Sequence, residues 1–120
     1  MFLNNASPSE NELRRHLVDL FLDISAQLSL YNKGLSRELR TPSSAIAYAG
    51  RIATHMMSRY HLAPGTDLHI DGLFNAFHRI YNETQLYHDG ESDEHSTLST
   101  IEKTAYDAVR GIYPKPPHRE

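Results

Sequence analysis

The 120-residue chain contains no cysteine. That excludes a disulfide framework, a thiolate nucleophile and a cysteine-based zinc site. Long apolar runs are missing too, and no window approaches the roughly 18 residues that a membrane-spanning helix requires. The opening segment MFLNNASPSEN has neither a basic leader region nor an apolar stretch of useful length, so no secretory signal is read and a soluble, cytoplasmic protein is expected. There is no glycine-rich phosphate loop, no nucleophile elbow and no HExxH pair on a helical face. What is present is a 39% hydrophobic content in a chain long enough to bury one modest core. A single helical domain over residues 1–113 is expected, with 114–120 as a tail that has no reason to pack.

Charge is scarce in one sign at a time. Residues 32–65 hold Lys33, Arg37, Arg40, Arg51 and Arg59 against Glu38 alone, whereas residues 66–103 hold eight carboxylates against Arg79 and Lys103. This polarity suits steering toward a protein partner, or complementarity within the fold. It does not suit a dedicated DNA binder, for which a positive domain is expected, and the net charge here is -3.

Periodicity gives four helices and no strand. The first opens at Ser7-Pro8-Ser9-Glu10, with a capping serine and a proline in the first turn. It carries Leu13, Leu17, Leu20, Phe21, Ile24, Leu28 and Tyr31 at steps of three and four, and stops at Asn32-Lys33-Gly34. The second runs from about Thr41 to Tyr60, with Ala45, Ala49, Ile52, Ala53, Met56 and Tyr60 on one face and 61–65 as its end. Whether residues 35–40 add a turn to it through a kink at Pro42 is open at this point. The third spans Asp67 to about Tyr87 on Ile70, Leu73, Phe74, Phe77, Ile80 and Tyr81, with Gly72 costing roughly 1 kcal/mol against alanine. After a polar loop over 88–96, the fourth starts at Ser96 or at the box Ser99-x-x-Glu102. It presents Leu98, Ile101, Ala105, Val109 and Ile112 and ends at Pro114. Four such helices predict an all-α, four-helix antiparallel bundle.

The segment Tyr31–Ile46, YNKGLSRELRTPSSAI, resembles the phospho-acceptor segment of the dimerisation domain of sensor histidine kinases. There an aromatic residue is followed after five residues by histidine and then by Glu-Leu-Arg-Thr-Pro-Leu-x-Ala-Ile. Tyr31 takes the aromatic place, Arg37 stands for the histidine, and Glu38, Leu39, Arg40, Thr41, Pro42, Ala45 and Ile46 follow the pattern, while Ser43 replaces its apolar residue. A guanidinium stays protonated and cannot accept a phosphoryl group as imidazole does. The resemblance therefore implies a helical surface that pairs with a kinase or docks a response regulator, without the chemistry. Kinase modules give two helices per chain and complete four by pairing; with four of its own, this chain allows a monomer or a homodimer.

Eight histidines raise metal and acid-base chemistry. His69-x-Asp71 and His88-Asp89 with Glu94-His95 are the nearest approaches to a ligand set, but none has paired-ligand spacing along a helix. His16, His78 and His118 read as solvated, and His55 and His61 as cations near a helix C-terminus. Tyr60, Tyr81, Tyr87, Tyr106 and Tyr113 read as the half-buried edge of a core. No catalytic residue, cofactor or metal is assigned. The expected function is protein binding by a non-enzymatic regulator or adaptor, through Tyr31, Lys33, Arg37, Arg40, Thr41 and Arg51. The competing readings are nucleic-acid binding through 32–65 and a small helical metal-binding protein or enzyme using the histidines.

Overall fold

A computed structural model describes residues 8–59 and 68–115 of the chain. It contains α1 (Pro8–Asn32), α2 (Pro42–Arg59), α3 (Leu68–His88) and α4 (Glu94–Val109), packed as an all-α antiparallel bundle. The expected Ser7 cap, Tyr60, the 61–65 terminator, the start at Asp67, His118 and tail residues 116–120 lie outside the described residues.

The apolar spacing of each helix becomes its buried face. Leu17, Phe21, Ile24 and Leu28 of α1 meet Ala45, Ala49, Ala53 and Met56 of α2, Ile70, Leu73, Phe77 and Ile80 of α3, and Ile101 and Ala105 of α4 in one cluster. Burying each large side chain contributes about 1.5–3 kcal/mol. Phe21 and Phe77 stack at its centre with ring centroids 4.1 Å apart. Side-chain pairs fix the helix directions. Asn32 Nδ2 donates to Glu102 Oε1 while Ser25 borders Tyr106, so α1 and α4 are antiparallel. Ser43 meets the Tyr87 hydroxyl while Gly50 lies against Thr84, so α2 and α3 are antiparallel as well.

Three helices end by one device. At the end of α1 the Gly34 N–H donates to the Tyr31 carbonyl and the Leu35 N–H to the Leu30 carbonyl, with Gly34 at φ 74°. This pairing requires a left-handed residue, which glycine supplies at least cost. Gly90 and Gly111 close α3 and α4 by the same pattern.

Four sequence expectations need correction. The fourth helix begins at Glu94, not at Ser96 or Ser99, because the Asp93 carboxylate accepts the Ser96 N–H at 2.7 Å and caps it. Ser99 and Glu102 are consequently mid-helix, and the polar loop shrinks to 89–93. The same helix ends at Val109, before Pro114, and Ile112 lies beyond it, 48% exposed rather than on the buried face. Separate from these, residues 35–40, which the sequence left open, form no helical turn and Pro42 is the first residue of α2, so there is no kink. Gly72 is not a tolerated defect. The Tyr113 ring occupies the space its Cβ would fill, so the segment after α4 folds back across α3. Pro114, expected in an unpacked tail, is half-buried.

Candidate functional site

The antiparallel order places the α1–α2 connection, the N-terminus of α2, the C-terminus of α3 and the α3–α4 turn at one end of the bundle. Within the connection, residues 33–41, local hydrogen bonds replace helix. Ser36 Oγ accepts the Leu39 N–H at 2.9 Å, and Leu39, 6% exposed, plugs into the core. Arg40 Nε donates to the Arg37 carbonyl at 3.2 Å. Thr41 Oγ1 accepts the Ser44 N–H while Ser44 Oγ accepts the Thr41 N–H, both at 3.1 Å, a reciprocal box at the start of α2. The Tyr87 hydroxyl bonds Ser43 Oγ at 2.6 Å and donates to Glu94 Oε2 at 3.3 Å, tying α2, α3 and α4 together at this end.

These bonds hold the connection in a defined shape and leave its cations outward. Lys33, Arg37, Arg40 and Thr41 are exposed, and Tyr31 is half-buried against the core. Leu35 stands among them 66% exposed, the most exposed large apolar residue of the described chain. The ion pairs among the described residues, Lys103–Asp107 and Arg110–Asp107, both centre on Asp107 of α4, so Lys33, Arg37 and Arg40 have no described acidic partner. Beside the connection, the α3–α4 turn exposes Asp89, Glu91, Asp93 and Glu94. The end is therefore bipolar. Burial first, then the charges of Asp23 and Glu38, hold the Tyr48 phenol on α2 above its usual range.

Of the six residues expected to bind a partner, five share this end and one does not. Arg51 is exposed nine residues into α2, roughly 14 Å along the helix axis from Pro42. It lines a different surface, the groove between α2 and α3, with Thr54, His55, Gln85 and His88. The resemblance to a kinase helix implies an unbroken helix through Arg37, whereas Arg37 here sits on the connection.

The histidines are dispersed. His69 Nδ1 lies 2.9 Å from the Tyr113 hydroxyl, and His78 Nδ1 lies 3.1 Å from the Asn82 amide nitrogen. Among the described residues no group of three or more histidine, aspartate or glutamate side chains is placed to hold a metal, and no described helix is long and apolar enough to cross a membrane. Comparison with known proteins finds no family model that matches the chain, no similar curated protein and no similar solved structure.

Proposed function

We propose that the chain is a non-enzymatic protein-binding module, a regulator or adaptor, that grips its partner with the α1–α2 connection. The observation that carries this reading is an exposed apolar side chain, Leu35, set among the exposed cations Lys33, Arg37 and Arg40 on a connection anchored by Leu39. An apolar anchor with a charged rim is the arrangement in which a few residues carry most of an interface's energy. The acidic turn next door adds a requirement: the partner presents carboxylates to the connection and cations, or nothing charged, to Asp89 and Glu91. That adjacency argues against nucleic acid, whose phosphates those carboxylates repel. The likeness of residues 31–46 to a kinase segment makes a kinase or a response regulator, with its aspartate-rich receiver pocket, the first partner to try.

A second copy of the chain meets the same bipolar requirement, because basic connection and acidic turn lie side by side. A homodimer through this end is the second reading, and sedimentation at low and high salt separates it from a monomer. The test of the main reading is affinity capture from the native cell, followed by binding of the purified partner. Arg37→Glu with Arg40→Glu is expected to weaken that binding by about tenfold or more, as loss of charge-assisted contacts does. Unchanged affinity removes the connection as the docking face.

A further inference from the structure

The groove between α2 and α3 is independent of that end-face reading. It measures about 680 Å³, within the roughly 300–1,000 Å³ of small-molecule sites. Gly50 and Thr84 both line it, and a Cβ on Gly50 would stand 3.1 Å from the Thr84 methyl, so the two helices approach closely there. Arg51, Thr54 and His55 stand at i, i+3 and i+4 on one flank, within about 5–6 Å of each other between Cβ atoms. Gln85 and His88 face them from α3.

The chemistry of this lining is one-sided. Guanidinium, two imidazoles, a side-chain amide and the Thr54 hydroxyl are hydrogen-bond donors or can become so. Two neighbouring hydroxyls are already committed, Ser58 donating to the His55 carbonyl at 3.1 Å and Thr84 to the Tyr81 carbonyl at 2.7 Å. Among the described residues no carboxylate lines the groove, although carboxylates outnumber lysine and arginine in the chain and the α1–α4 and α3–α4 clefts both include Asp107. Asp89 and Glu91 follow His88 in the turn without lining it. Among the described residues Arg51 has no ion-pair partner. Ile46, Ala47 and Gly50 supply a small apolar floor.

We propose that this groove binds the phosphate group of a small organic phosphate, with Arg51 as the principal charge, His55 and His88 flanking it, and the organic part on the Ile46–Ala47 floor. The planar fork of a guanidinium can bond two phosphate oxygens at once, which a lysine ammonium, a point charge, does not.

The test is titration of ¹⁵N-labelled full chain at constant ionic strength with inorganic phosphate, phenyl phosphate and, as control, sulfate. Phenyl phosphate is expected to shift the amides of residues 50–58 and 85–88 saturably, and to bind more tightly than inorganic phosphate. Arg51→Gln is expected to weaken it by about tenfold or more. His88→Gln, on the other helix, is expected to weaken it as well, which a change confined to α2 would not produce. Arg37→Gln with Arg40→Gln is expected to leave it unchanged, so loss of the end-face reading does not remove this one. Equal binding of sulfate, which marks an adventitious ion only, overturns the proposal. So do shifts confined to residues 33–41, or no saturation.

Discussion

The ring of Tyr113 lies over Gly72, in the space where any other residue of α3 would place its Cβ. The Tyr113 hydroxyl reaches His69 Nδ1 at 2.9 Å, one turn away on the same helix. The segment following α4 is thereby latched across α3. In an open helix Gly72→Ala would stabilise by roughly 1 kcal/mol. Here the overlap reverses the sign, and a loss of about 1–3 kcal/mol is expected, as for overpacked cores. Denaturant unfolding of Gly72→Ala, Tyr113→Gly and the double variant checks it. In the Tyr113→Gly background the alanine is expected to be neutral or stabilising.

Gly50 plays the corresponding part between α2 and α3. The gap to the Thr84 methyl, 3.1 Å, is larger than that at Gly72, so alanine needs a shift of only a few tenths of an ångström, whereas valine must push the helices apart. Gly50→Val is expected to lower stability by about 1–3 kcal/mol. Adding Thr84→Ser, which removes the opposing methyl but keeps a hydroxyl for the Tyr81 carbonyl, is expected to recover part of that loss in thermal melts.

The Asp93 cap gives stability a pH dependence with a defined sign. The Ser96 N–H, then the Ser96 hydroxyl, hold the Asp93 carboxyl below the usual carboxylate range against a small opposing effect of burial, with His95 assisting. A pKa lower in the folded than in the unfolded chain means the contribution is present above the unfolded value, about 3.9, and is lost as pH falls through the folded one. Asparagine also caps helices but carries no charge to meet the helix dipole. Asp93→Asn is therefore expected to melt below wild type at pH 7, with the difference closing below about pH 4. A difference that widens in acid contradicts the assignment.

Leu39 tests whether the connection is held rigid by burial. Its side chain is 6% exposed, so Leu39→Ala is expected to cost about 2–5 kcal/mol. Leu35→Ala, at 66% exposure, is expected to change stability by no more than about 0.5 kcal/mol. Chemical denaturation of the two variants side by side measures the contrast.

The helices were legible because each buried stripe repeats at the helical period, and Leu17, Phe21, Ile24 and Leu28 are buried as their spacing predicts. Other features depend on what is distant in sequence or on which of two local signals prevails. Ser99-x-x-Glu102 has the form of a capping box, yet Asp93 caps three residues earlier than the nearest start proposed, hidden in a run read only as polar. Gly72 reads as a weak point until Tyr113, far along the chain, is placed above it. Charge alone groups Arg51 with Arg37 and Arg40, but helix rise separates them. The α2–α3 groove left a signal that was available, since Arg51, Thr54 and His55 share one helical face and so do Gln85 and His88. Nothing local states that those two faces meet; the Gly50–Thr84 crossing does.

On the proposed reading the connection is what the partner touches. Amide hydrogen exchange of the full chain, alone and saturated with the captured partner, addresses it residue by residue. Slowed exchange is expected across residues 33–41, with smaller effects at 89–93. Protection confined to the outer surfaces of the helices, with 33–41 exchanging as in the free protein, contradicts it.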